Sequence, residues 1–124
     1  MLYAMFAYHL EKTITDLTPA QDQALMEGMH KVHARLTAEG KLGPAARLGP
    51  TAKAVTIRDG LALDGPFAET KEVLLGFYVI DCKTHEEAVQ VAKDMQTANP
   101  YAVYELRPIP LYLPGVAFPV TAAE

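Results

Sequence analysis

Tryptophan is absent from this chain, and cysteine occurs once, at Cys82. A single thiol closes no internal disulfide and builds no thiolate metal cluster. Basic residues are scarce: 11 Lys and Arg stand against 15 Asp and Glu, with no basic run, for a formal net charge of −4. A nucleic acid, whose phosphates call for a basic face, is therefore not an expected partner. No apolar stretch approaches the roughly 18 to 20 residues that cross a bilayer, so no membrane is expected either. The apolar start, Met1-Leu2-Tyr3-Ala4-Met5-Phe6-Ala7-Tyr8, lacks the basic n-region and clear cleavage site of a signal peptide and reads as a first strand. The cytoplasm is the expected compartment. Internal repeats, low-complexity segments and a phosphate-binding glycine loop are also missing, since Gly40, Gly43 and Gly49 sit among breakers without a strand–helix context.

What remains is an ordinary globular composition, 50% hydrophobic and 21% charged over 124 residues, the length of one domain. Leu2 to His9 is apolar and aromatic on both parities, which suits a strand covered on both faces or one whose second face is buried by a partner subunit. Glu11 to Leu17 reads as a loop. Thr18-Pro19-Ala20-Gln21 combines a cap, a proline at the first helical position and a capping-box glutamine, opening a helix that stops at Gly40. Leu25, Met29, Val32 and Leu36 form its apolar stripe, with His33 at the edge. A short strand around Ala45-Ala46-Arg47-Leu48 and a strand from Thr51 to Arg58 follow. Asp59-Gly60 then turns the chain into Leu61-Ala62-Leu63. Leu74 to Asp81 reads as the central strand. Thr84-His85-Glu86-Glu87 opens a second helix as another capping box, with Glu87 reaching back. Asn99-Pro100 ends that helix, and Tyr101 to Arg107 is a last strand. One domain spans 1–108. The tail 109–124 is apolar but broken by prolines, and is expected to pack on its own domain or on a partner subunit. The order β-α-β-β-(β)-loop-β-α-β predicts an α+β fold, two helices on one face of an antiparallel sheet.

Between two strand-like runs lies Asp64-Gly65-Pro66-Phe67-Ala68-Glu69-Thr70-Lys71-Glu72. It is longer than a hairpin requires, and Phe67 reads as an apolar anchor into the core. This stretch, with Gly76-Phe77-Tyr78-Val79-Ile80-Asp81 after it, resembles the signature of the DGPF family within the YCII-related group. The resemblance runs from the first strand to about Pro108. It implies the ferredoxin-like fold of the dimeric α/β-barrel superfamily and a homodimer, with no assigned reaction for most members. His33-Ala34-Arg35-Leu36-Thr37-Ala38-Glu39-Gly40-Lys41-Leu42-Gly43-Pro44 is similar to the first-helix pattern of that group. The resemblance implies an active pair of a helix histidine and an aspartate, here His33 and Asp64. Asp64 matches only loosely, because Gly65 separates it from Pro66 and its motif stands elsewhere in chain order.

An imidazole titrates near neutral pH, and a carboxylate on one ring nitrogen fixes its tautomer and raises its basicity. A His33–Asp64 dyad would move a proton to or from a small organic molecule, while a bland alternative leaves His33 as a packed helix residue. Glu69, Lys71 and Glu72 either line a substrate cleft, with Lys71 meeting an anionic group, or neutralise one another as a structural set. Tyr8 and His9 reach a site from the end of the first strand, or make structural hydrogen bonds. Glu27, His30 and His33 share a helix face, but lack an HExxH-like pattern, so no metal is expected. His85 reads as a surface residue and Cys82 as a thiol with no activating partner. The wider superfamily, with its cofactor-free lactone isomerases and monooxygenases, implies proton transfer without a cofactor on a small-molecule ligand. A non-catalytic ligand-binding or regulatory module is the rival, supported by relatives found beside sigma factors.

Overall fold

The computed structural model describes residues 1–118. In chain order these form β1 (Leu2–His9), α1 (Glu11–Thr15), α2 (Pro19–Ala38), β2 (Leu42–Arg47), a 3-10 turn (Thr51–Lys53), β3 (Val55–Arg58), β4 (Leu61–Asp64), β5 (Val73–Asp81), α3 (His85–Ala98) and β6 (Ala102–Pro108). Four strands make an antiparallel sheet in the order β2-β5-β1-β6, and β3 pairs only with β4. Both long helices pack on one face of the sheet, giving the α+β fold that the element order predicts and the ferredoxin-like arrangement that the family resemblance implies.

Alternation along the strands builds the core. Tyr3 and Met5 of β1 lie inward opposite Ile80 and Tyr78 of β5. They meet Leu36 from α2 and Ala88, Val91 and Met95 from α3. Local chemistry fixes the helix starts. Thr18 accepts from the Gln21 backbone N–H at 3.1 Å, and Gln21 returns a bond to the Thr18 N–H at 2.9 Å, closing the predicted box. Thr84 likewise accepts from the Glu87 N–H at 3.1 Å. The Glu87 carboxylate, however, reaches Lys83 N at 3.4 Å and Lys41 Nζ at 3.2 Å rather than the Thr84 N–H.

Several expectations need correction. Residues 11–15 form the short helix α1, not loop, because Glu11 is tied to Thr51 across forty positions of chain. Thr51–Lys53 is a 3-10 turn, so the strand expected from Thr51 starts only at Val55. Asp59 and Gly60 both take positive φ, 51° and 77°, the geometry of the tight hairpin that Asp-Gly favours. The β3–β4 hairpin forms its own two-stranded sheet, separate from the main one. Phe67 is consequently 74% exposed, with the Arg58 guanidinium 5.0 Å above its ring, and does not anchor in the core. Only the inward face of β1 is buried; Leu2, Ala4, Phe6 and Tyr8 lie half-covered on a face with no helix over it. In the tail, Ile109 N–H bonds Leu2 C=O at 2.9 Å and Ile109 and Tyr112 are half-buried, while Leu111, Leu113, Val116 and Phe118 are exposed. Residues 119–124 of the tail lie outside the described residues.

Candidate functional site

A cavity of about 560 Å³ opens between α2 and the sheet, within the range usual for small-molecule sites. The Thr18 cap sets the phase of α2, and the resulting stripe delivers Leu25, Met29 and, one turn later, His33 to the cavity wall. Alternation places Ala7 and His9 of β1, and Gly76 and Tyr78 of β5, on the same side. Where Ala7 pairs with Gly76 but Tyr8 with Leu74, Leu75 is left as the extra residue of a bulge and also lines the cavity. The roof comes from Ile14 and Thr15 of α1 and from Leu48, Gly49 and Pro50 after β2.

The polar groups fall into two sets. His33 Nε2 lies 2.9 Å from the Tyr78 hydroxyl, with the rings tilted 58° and their centroids 5.4 Å apart. Burial, and then the neighbouring His30, lowers the His33 pKa below the ordinary imidazole value. Burial pushes the Tyr78 phenol well above its usual range, and the Tyr104 phenol nearby adds to the effect. Burial thus favours the neutral form of both partners. In the second set the Asn99 amide Nδ2 donates to His9 Nε2 at 3.2 Å and to the Tyr104 hydroxyl at 3.3 Å. His9 Nδ1 and Asn99 Oδ1 are buried without a protein partner among the described residues. Burial lowers the His9 pKa, Arg47 lowers it further, and Glu72 opposes both. Burial likewise raises the Tyr104 phenol, against the hydrogen bond from Asn99.

The structure sorts the sequence-predicted residues by location. His33 and His9 line the cavity. Asp64 does not meet His33: it stands exposed in β4, outside the cavity, with no side-chain hydrogen bond or ion pair among the described residues, and Tyr78 occupies the His33 nitrogen instead. The separate hairpin accounts for this, because it removes Asp64 from the sheet face that α2 covers. Tyr8 points to the opposite face of the sheet from His9, as neighbours in a strand must, and its hydroxyl donates to Glu105 at 3.2 Å. Glu69 and Lys71 line a shallower hollow of about 390 Å³ against α1, shared with Lys12, and Glu72 lines neither space. The His30 and His33 rings are 6.0 Å apart, and among the described residues no three His, Cys, Asp or Glu side chains gather as a metal site.

Tyr78, Asn99, Tyr104 and Arg47 were missed from sequence. The Gly76, Tyr78, Ile80 parity was the available signal for Tyr78, and a polar residue closing an otherwise apolar helix face was the signal for Asn99.

The sequence matches known proteins along most of its length. The model of the YCII-related domain covers residues 1–111, three residues beyond the boundary expected from sequence. An uncharacterized protein of Rhizobium meliloti (strain 1021) is 45% identical over 120 residues, which cover 93% of this chain and 97% of that relative. With the fold, the family match and this relative in agreement, the chain belongs to the YCII-related domain family.

Proposed function

We propose that this protein binds a small, largely apolar organic molecule in the cavity between α2 and the sheet. There it exchanges a proton with that molecule through the His33–Tyr78 pair. The observation that carries the reading is the 2.9 Å contact between His33 Nε2 and the Tyr78 hydroxyl on the wall of an open cavity. In the tautomer whose Nε2–H donates to the Tyr78 oxygen, the neutral imidazole accepts a proton at Nδ1, and the phenol O–H is left to donate a hydrogen bond to a developing oxyanion. Together they present a base and a donor at one wall without net charge. No cofactor enters the scheme. The working form is a cytoplasmic homodimer that covers the half-exposed sheet face around Phe6, Phe77 and Val79.

A second reading, ligand binding without turnover, is favoured by one observation. Among the described residues neither cavity imidazole is oriented by a carboxylate: His33 bonds Tyr78 and His9 bonds Asn99. Small phenols, lactones and carbon acids, followed by proton NMR in deuterium oxide, separate the two. The proposal expects catalysed exchange or turnover, reduced about a hundredfold or more in His33→Gln and markedly in Tyr78→Phe. Compounds that shift the His33 resonances without exchange or turnover would support the binding module instead.

A further inference from the structure

The charges on the cavity wall are not equivalent. The Glu11 carboxylate is committed to Thr51, accepting from its backbone N–H at 2.8 Å and its hydroxyl at 2.6 Å. Those two bonds hold its carboxyl below the usual range and tie α1 to the turn after β2. Arg47 is placed differently. It pairs with Gly76 across the β2–β5 ladder, so its side chain leaves the sheet on the cavity side. The guanidinium then crosses toward α2, with Nη2 3.7 Å from Asp22 and Nη1 4.0 Å from the Met26 sulfur. The ion pair is long and solvent-exposed, so it contributes little and yields readily to a better acceptor. Behind Arg47 the wall is apolar, with Ala7, Leu25, Met29 and Leu75, and burial favours the neutral forms of its imidazoles and phenols. A planar cationic fork, most of whose five donors are unfilled among the described residues, thus stands at the edge of an apolar chamber. That fork fits a carboxylate bidentately.

We infer that the ligand of this cavity is a small apolar monocarboxylate. Its carboxylate is received by Arg47 at the mouth, in place of Asp22, and its apolar body extends inward toward His33 and Tyr78. This rests on the cavity being the ligand site, as proposed above. Lys12 and Lys71, around the second hollow, do not compete for the role, because that hollow does not open onto His33 or Tyr78.

The test uses phenylacetate and 4-phenylbutanoate with their neutral amides, titrated into the full chain and read by calorimetry and by the His9 and His33 ring signals. An acid is expected to bind at least about tenfold more tightly than its amide, a difference of about 1.4 kcal/mol. Arg47→Gln should abolish that difference while the amide still shifts the His33 signals, and Arg47→Lys should restore part of it. Because the Arg47 side chain is 60% exposed, the glutamine variant keeps the fold, which its amide NMR spectrum verifies. Equal binding of acid and amide, or an acid preference that survives Arg47→Gln, would overturn the carboxylate class and leave the cavity as the ligand site. If no acid or amide disturbs His9 or His33, the ligand site itself is refuted and the inference falls with it.

Discussion

Asn99 organises the deeper polar set of the cavity from a position whose sequence signal is only that of a helix stop. Its amide supplies both His9 and the Tyr104 hydroxyl, and the residue is 3% exposed, so water does not replace it. Removing a buried hydrogen-bonding group leaves its partners desolvated and unpaired, at about 1–3 kcal/mol. Asn99→Ala is therefore expected to lower stability by about that amount, read as a fall in the urea midpoint at unchanged slope. Residue pairings of this kind were the least legible part of the sequence. His33 and Tyr78 are separated by 45 positions, and nothing local to either says that strand β5 runs under helix α2 at that height. Tyr8 and His9 carried a plainer lesson: strand periodicity admits only one of two neighbours to a given face, and here it is His9.

At the level of elements, what local chemistry determines was readable and what tertiary contact determines was not. The Thr18 cap, the Asp59-Gly60 turn and the apolar stripe of α2 are each set by residues within a few positions of one another. Helix α1 depends on the distant Thr51, and the detachment of β3–β4 depends on which strand edge is free, so neither showed. The junction of β2 with β5 has its own constraint. A Cβ on Gly76 would stand 3.0 Å from the Ala46 carbonyl oxygen, a backbone atom that cannot turn aside. Gly76→Ala is expected to shift the edge strand β2 outward by a few tenths of an ångström and carry Arg47 with it. The expected cost is about 1–3 kcal/mol, with backbone amide shifts concentrated in residues 42–50. Wild-type stability and undisturbed β2 amides would show that the edge strand tolerates the methyl group.

For the whole molecule, the sheet has one face under helices and one face without them. On the second, Phe6 pairs with Phe77 and Ala4 with Val79, while Arg107 lies 5.7 Å over the Phe6 ring and bonds Glu105. The proposed homodimer covers this face, so light scattering should give twice the chain mass of 13.5 kDa, and Phe77→Glu should reduce it to a single chain. A wild-type mass of one chain would remove the dimer from the account. Leu111, Leu113, Val116 and Phe118 are exposed as well, and the proposed homodimer would have them as a second apolar surface to cover.

The central claim, a ligand cavity held by neutral imidazoles, is tested most directly by titrating His9 and His33 by NMR with and without a bound aryl carboxylate. Both rings have folded-state pKa values below the ordinary value of about 6.5, so between the folded and unfolded values the unfolded chain binds more protons. Their contribution to stability is then complete above pH of about 6.5 and is lost as the pH falls below it. The account predicts midpoints below about 6.5 for both rings, and movement of the His33 midpoint and ring shifts on adding ligand. Midpoints at the ordinary value, unchanged by any ligand, would mean that the two histidines stand in water and that no such cavity exists.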